Sequence, residues 1–306
     1  MAPKVVEGTR PSALAGLVEE YLDAGVKWSR RTRDQYEYNL TRVFLPWAAQ
    51  AKLTEPEQLD ERSLDRLHRH LADRVKPATV HSYLRSVNQF LNWARKRGDV
   101  GEAKAKLPDL KRTMIEVLSR EEIARMEAAC DAERDKLIIR TLADGGLRLN
   151  ETLGLRTNDL VRQGRACLLR VREAKGGNER LVPIPPALFA RLKKYAEHGR
   201  PRDAMTTRIF VTRRRHGDGT YSALEPRTVQ NMVRSVADKA GISKRVHPHL
   251  LRHSYATWAL ERGMNPIVLK DNLGHADLDM ITNVYSQLTA GQRFDATMRA
   301  LMSDDE

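Results

Sequence analysis

Apolar residues recur every three to four positions through most of the first hundred residues, the spacing of helices that bury one face. The pattern predicts a first helix near Ser12–Ala24, with Leu14, Leu17, Val18, Tyr21 and Leu22 inward. A second, near Arg31–Ala49, places Tyr36, Leu40, Val43, Phe44 and Trp47 on one stripe, and a third, near Glu61–Arg74, uses Leu64, Leu67 and Leu71. The fourth opens on Pro77, whose missing N–H is harmless in a first turn, and carries Val80, Leu84, Val87, Leu91 and Ala94 along one face. It stops at Gly98, after Arg95, Lys96 and Arg97. Four such helices make a small all-α domain over residues 1–107. The periodicity lapses across Gly101–Val117, where Pro108 and a run of charges read as a linker, set at 108–117.

Helical spacing returns after Ser119, which with Glu122 has the form of a capping box, and continues through Ile123, Met126 and Cys130. Past Arg148 the pattern changes to strand-like runs, Cys167–Val171 and Leu181–Ile184. The turn Lys175-Gly176-Gly177-Asn178 between them predicts a β-hairpin. A short strand is expected at Ile209–Thr212, and helices at Pro226–Ala240, Pro248–Arg262, Pro266–Asn272 and Asp279–Leu288. The expected fold class is therefore mainly α with a small antiparallel sheet: a four-helix unit, then an α+β unit over 118–306.

Composition narrows the function. Lys and Arg outnumber Asp and Glu 53 to 40 in 306 residues, and a formal net charge of +13 favours a polyanionic partner, although a merely soluble basic protein accounts for charge alone. The two cysteines, Cys130 and Cys167, each lie in an apolar run, which excludes a disulfide framework and a cysteine-rich zinc site and suits a reducing cytoplasm. No apolar leader opens the chain and no run of about eighteen apolar residues occurs, so secretion and a membrane partner are not indicated.

Three groups of residues carry candidate chemistry. In Gly145-Gly146-Leu147-Arg148-Leu149-Asn150-Glu151, an arginine follows a glycine pair and precedes a helix that Asn150 could cap. A guanidinium fixed on such a turn can direct two donors at phosphate oxygens, and Glu151 could lock its orientation; an ordinary surface arginine and first-turn acid would look the same. His247-Pro248-His249-Leu250-Leu251-Arg252-His253 opens a later helix, where His249 and Arg252 share a face at a terminus that favours anions. Any of these histidines could instead be structural, and His249 with His253 at four-residue spacing invites zinc; the catalytic glutamate of such a zinc motif is missing, since Leu250 stands there. Leu273-Gly274-His275-Ala276-Asp277 then precedes Tyr285, whose phenol needs cations and a base to act as a nucleophile and in isolation reads as a core residue.

In order and texture these groups resemble the tyrosine recombinase family, the phage-integrase and Xer-type enzymes. The family's arginine after a glycine turn, then H-x-x-R, then L-G-H, then tyrosine, match Arg148, His249 with Arg252, His275 and Tyr285. Its lysine turn is matched by Ala174-Lys175-Gly176-Gly177-Asn178-Glu179-Arg180-Leu181-Val182-Pro183. The resemblance spans the chain, strongly from Ser119 onward and only generally over Lys76–Gly98. Three departures stand out: Ala174 replaces a glycine, Asn178 a basic residue, and Tyr285 follows His275 by ten residues where nine is usual, which leaves the Lys175 assignment the most exposed.

The resemblance implies that residues 1–107 form a helical core-binding DNA-binding domain and that Tyr285 attacks a scissile phosphate, leaving a 3′-phosphotyrosyl bond and a 5′-hydroxyl. Arg148 and Arg252 would neutralise non-bridging oxygens, His249 accept the tyrosine proton, Lys175 protonate the leaving oxygen and His275 bond the phosphate. No metal or ATP would be needed. Partners would be double-stranded DNA recombination sites, bound by a homotetramer across two duplexes, with an accessory directionality factor left open. Arg85, Arg95, Lys96 and Arg97, and Arg208, Arg213, Arg214 and Arg215, are candidate phosphate contacts, although a solvated basic face explains each cluster as well. The tail Gly291–Met302 reads as a short amphipathic helix that docks on a neighbouring subunit or packs on its own domain. No extra module precedes the first helix, so the arm-binding domain of some phage integrases is not expected. A type IB topoisomerase, a non-catalytic DNA-binding regulator on the same fold, and a metal-dependent nuclease are the rival readings.

Overall fold

The computed structural model describes residues 12–110, 116–172, 179–201, 204, 206–213 and 220–274. The chain divides into two compact units, Met1–Thr113 and Met114–Glu306.

In the first unit, α1 (Ala13–Ala24) is capped by the Ser12 hydroxyl, and α2 (Arg30–Glu37) continues through a π-helical stretch, Tyr38–Phe44, into α3 (Leu45–Gln50). Pro46 explains the widened turns: it has no N–H for the carbonyl four residues back and its ring crowds that carbonyl, so the turns just upstream open to absorb the misfit. The stripe read from periodicity shifts accordingly. Leu40, Phe44 and Trp47 are buried together with Asn39 and Ala48, whereas Tyr36 and Val43 are only partly covered. Asn39 is satisfied in the core by donating to the Ser86 hydroxyl at 2.8 Å. A 3₁₀ turn (Pro56–Gln58) leads to α4 (Glu61–Ala72), and α5 (Pro77–Arg97) ends where Gly98 turns left-handed at φ +86°. Beyond it Val100, Ala103 and Ala105 still pack on this core, and Asn88 bonds both backbone groups of Ala105. The packed chain thus runs past Gly101, where periodicity alone suggested a linker.

The second unit begins with α6 (Arg120–Ala128), capped by the Ser119–Glu122 box, followed by α7 (Glu133–Gly145) and α8 (Leu149–Gly154). A three-stranded antiparallel sheet follows, β1 (Leu160–Gln163), β2 (Ala166–Arg172) and β3 (Glu179–Pro183), in the order β1-β2-β3. Val171 pairs with Arg180 and Arg172 with Glu179, so the two apolar runs form the antiparallel pair expected of them. β1 escaped notice because it is short and its last residues are exposed. Ile209–Thr212 is not a strand: only isolated bridges, Arg156 to Arg208 and Val211 to Ala223, form there, and the apolar signal came from burial of Ile209, Phe210 and Val211.

The remaining helices are α9 (Pro186–Lys194), which runs into a π turn (Tyr195–Gly199), α10 (Pro226–Lys239), α11 (Pro248–Glu261) and α12 (Pro266–Leu273). α11 packs along α7 and is buried on most sides, including Arg252, His253 and Ser254. Among the described residues, no helix is long and apolar enough to cross a membrane.

Candidate active site

α7 ends at a glycine pair. Gly146 has φ +62°, where a side chain is strained, and an added Cβ would run into the ring of Tyr255 on α11. Three residues, Gly146 to Arg148, separate α7 from α8, so Arg148 itself is the N-cap of α8, and Asn150, read from the sequence as the cap, lies inside the helix. Glu151 completes the cap: its Oε2 accepts the Arg148 backbone N–H at 2.8 Å, and its Oε1 accepts from Arg148 Nη1 at 2.8 Å.

Two further arginines converge on Glu151. Arg180, from β3, presents a fork, with Nη2 donating to Oε2 at 2.8 Å and Nη1 to Oε1 at 3.1 Å, while its Nε donates to the Asn272 carbonyl at 2.9 Å. Arg252, from α11, brings Nη1 to 3.8 Å of Oε2 and donates to the carbonyls of Gly146 at 2.6 Å and Leu273 at 2.7 Å. The last carbonyls of α12, which have no donors within their own helix, are therefore satisfied by two arginines of this cluster. Gly274 follows at φ +83°, and a Cβ there would lie 3.2 Å from Arg148 Nη1 and 3.3 Å from Arg180 Nη1.

Among the described residues, three guanidiniums converge on the one carboxylate of Glu151. Burial would raise the Glu151 carboxyl, but the hydrogen bonds and charge of Arg180, then those of Arg148, outweigh it and hold it below its ordinary value. Arg252, 1% exposed, is drawn down to about 9 by burial and by the charge of Arg148, and stays protonated at neutral pH. Guanidiniums gathered this closely favour an anion beside them. The Arg148 side chain is 33% exposed, so an anion can reach the cluster.

The histidines flank this cluster. His247 caps α11, its Nδ1 accepting the Leu250 N–H at 3.1 Å, which puts the proton of the neutral ring on Nε2. His249, exposed on the first turn, meets the His253 ring edge-on with centroids 4.4 Å apart. Desolvation by surrounding protein, then the charges of Arg252, His247 and Arg148, keep His249 below its ordinary value, so it is neutral and able to accept a proton. His253 is buried, its Nδ1 has no hydrogen-bond partner among the described residues, and desolvation pushes its pKa down to about 4.

The structure thus gathers Arg148, Glu151 and Arg252, with His249 one turn before Arg252 on the same helix. Lys175, His275, Tyr285, Arg214, Arg215, the helix expected at Asp279–Leu288 and the tail Gly291–Met302 lie outside the described residues. Arg208 donates to the Leu153 carbonyl at 3.5 Å. Arg213 lines a cleft of about 550 Å³ with Arg134, Arg191, Lys194 and His198, and no residue of the arginine cluster lines it. In the first unit, Arg85 lines a polar groove of about 390 Å³ with Ser29, Arg31, Thr32, Gln35 and Ser82. Arg95 is engaged by Glu102 at 2.9 Å, and Arg97 by Asp99 and Glu20 at 2.9 and 2.8 Å, while Lys96 is exposed.

Arg180 was quoted in the sequence only as part of the lysine turn and not as a site residue. Its signal was positional. Strand alternation puts Arg180 on the face of buried Val182, opposite Leu181, which is 40% exposed; an arginine on the inward face of a strand demands a partner. Among the described residues, no group of three His, Cys, Asp or Glu is arranged to hold a metal ion.

The sequence model described as "Phage integrase family" matches residues 116–292. A tyrosine recombinase of Thermosipho africanus is 32% identical over 230 residues, covering 73% of this chain and 76% of that protein. The tyrosine recombinase XerD of Lacticaseibacillus casei is 30% identical over 281 residues, 88% of this chain and 92% of its own. The fold is shared with the Tn1549 transposon integrase solved in complex with transposon right end DNA: TM-score 0.71 at 17% identity, covering 96% of this chain and 99% of that one.

Proposed function

The chain belongs to the phage integrase family, and on that footing we propose how this tyrosine site-specific recombinase breaks and rejoins DNA. The observation that carries the reading is the convergence of Arg148, Arg180 and Arg252 on Glu151, with Arg148 partly exposed, an arrangement that suits one phosphate.

In this reading Tyr285 attacks the scissile phosphorus, the 5′-oxygen leaves, and the phosphoester is conserved as a 3′-phosphotyrosyl bond, so strand joining draws on neither metal nor nucleotide hydrolysis. Arg148 and Arg252 neutralise the non-bridging oxygens as charge accumulates in the transition state, a fixed electrostatic environment that needs no rearrangement during reaction. His249, held neutral, accepts the phenolic proton. Lys175 protonates the leaving oxygen and His275, the residue after Gly274, adds a hydrogen bond to the phosphate. Gly274 supports the latter role because it lies against Arg148 and Arg180.

The first unit acts as the core-binding half of the grip on duplex DNA, its groove of Ser29, Arg31, Thr32, Gln35 and Arg85 meeting backbone phosphates, with Lys96 and Arg213 as further contacts. Strand exchange requires two duplexes, hence a tetramer, and the buried free thiols Cys130 and Cys167 suit a reducing, nucleoid-associated setting in the cytoplasm. The test is covalent capture on duplexes carrying a nick beside the cleavage point, drawn from a randomised pool. The unaltered chain leaves a denaturation-resistant protein–DNA band that Tyr285→Phe does not, and equal bands from both would sink the reading.

A further inference from the structure

We propose that Arg180 is a positioning residue for strand cleavage, a fork that sets Arg148 and the Leu273-Gly274 turn at a fixed separation around the phosphate. The proposal rests on the recombinase reading above. Its basis is the number of separate segments one side chain joins. From β3, Arg180 holds both oxygens of Glu151, 29 residues away in sequence, and the Asn272 carbonyl, 92 residues away. The Glu151 oxygens it holds are the same two that hold Arg148, and the helix end it holds is the one Arg252 also holds.

Each of its three nitrogens, Nε included, already donates to the protein, so Arg180 is committed to architecture rather than to the phosphate. Its place is fixed from behind by the β2–β3 ladder, in which it pairs with Val171. A planar group with three committed donors transmits position where a flexible ammonium would not. Gly274 adds the close approach: a Cβ there would press on both guanidiniums, so only a glycine lets the turn sit this near Arg148 and Arg180 together. An isolated surface ion pair would do none of this.

The experiment measures single-turnover covalent capture with the nicked duplex selected by the unaltered chain. It is run with an ordinary scissile phosphodiester and with a methylphosphonate, in which one charged non-bridging oxygen is replaced by methyl. On the diester, Arg180→Gln loses about 100-fold, the scale of an ångström's misplacement of reacting groups. On the methylphosphonate, where arginine has less charge to neutralise, most of the gap from the unaltered chain closes. Arg180→Lys keeps the charge, lacks the fork and follows Arg180→Gln on both substrates.

A gap of the same size on both substrates reports lost folding or binding and overturns the proposal, as does full activity of Arg180→Gln or rescue by Arg180→Lys. Failure of the unaltered chain to form any adduct removes the recombinase reading and this proposal with it. An active unaltered chain with an indifferent Arg180→Gln removes this proposal alone.

Discussion

Two groups of arginines in this chain are built on opposite plans. At the end of α5, Arg95 and Arg97 each meet carboxylates of their own, Glu102 for the first and Asp99 and Glu20 for the second, and Arg97 also lies over the Trp93 ring at 4.5 Å. These pairs are solvated, with Glu102 85% exposed, and their charges balance locally. In the second unit three arginines converge on one mostly covered carboxylate, and Arg180 and Arg252 also donate to main-chain carbonyls. The difference teaches how to tell a surface arginine from one built into a cluster: convergence of several guanidiniums on one carboxylate, read with burial, separates them where sequence shows only Arg.

The contrast breaks most readily at Arg252. Arg252→Ala removes a buried cation and two carbonyl contacts, and covalent capture of nicked duplex should fall by about 10³-fold, as for loss of a preorganised charge-stabilising donor. A loss no larger than that of Arg97→Ala would erase the distinction.

Next comes Glu151→Gln, which removes the carboxylate that three cations share and should cost about 3 kcal/mol of stability in urea unfolding. Inorganic phosphate should restore more of the melting temperature in Glu151→Gln than in the unaltered chain, because the emptied site is the more cationic. Equal responses would place phosphate elsewhere.

The pH dependence sharpens the comparison further. The Glu151 carboxyl is lower folded than unfolded, so its contribution is present above its ordinary value and is lost as pH falls through the depressed folded value. His253 is also lower folded, at about 4 against 6.5, so protonation favours the unfolded chain and stability declines as pH falls from 6.5 towards 4. His253→Leu should flatten that decline, measured as urea midpoints across the interval. An unchanged slope would assign the titration to another group.

The smallest effects belong to α5. Lys96→Ala should change stability by less than about 0.5 kcal/mol, yet reduce the slope of log affinity against log salt for duplex DNA by about one. No change in slope would remove Lys96 from the contact surface.

How much of this was legible beforehand depended on range. Helices α1, α4 and α5 and the box at Ser119 were readable because periodicity and caps are local, and the antiparallel pairing of β2 with β3 followed from two apolar runs around a glycine turn. The π-helical stretch before Pro46 and the short β1 were not, since strain from one ring and a strand with exposed ends leave little trace in period. Arg148, His249 and Arg252 were singled out through ordered motifs, but the cap at Arg148 was misplaced onto Asn150 because a side chain that caps its neighbour's amide from three residues on resembles any first-turn acid. Arg180 was hidden by distance: its partners lie 29 and 92 residues away, and only the fold brings them to it.

Gly146 has a mechanical consequence. Its bare Cα rests against the Tyr255 ring while its carbonyl receives Arg252, so α7 is clamped to α11 at two points, neither of which has a rotatable side chain on the glycine. Such a mount resists sliding along either helix axis. The gauge between Arg148 and Arg252 is thereby insulated from repacking in the surrounding core, and enlarging substitutions there should distort the outer walls of the domain before they alter the spacing of its two central cations.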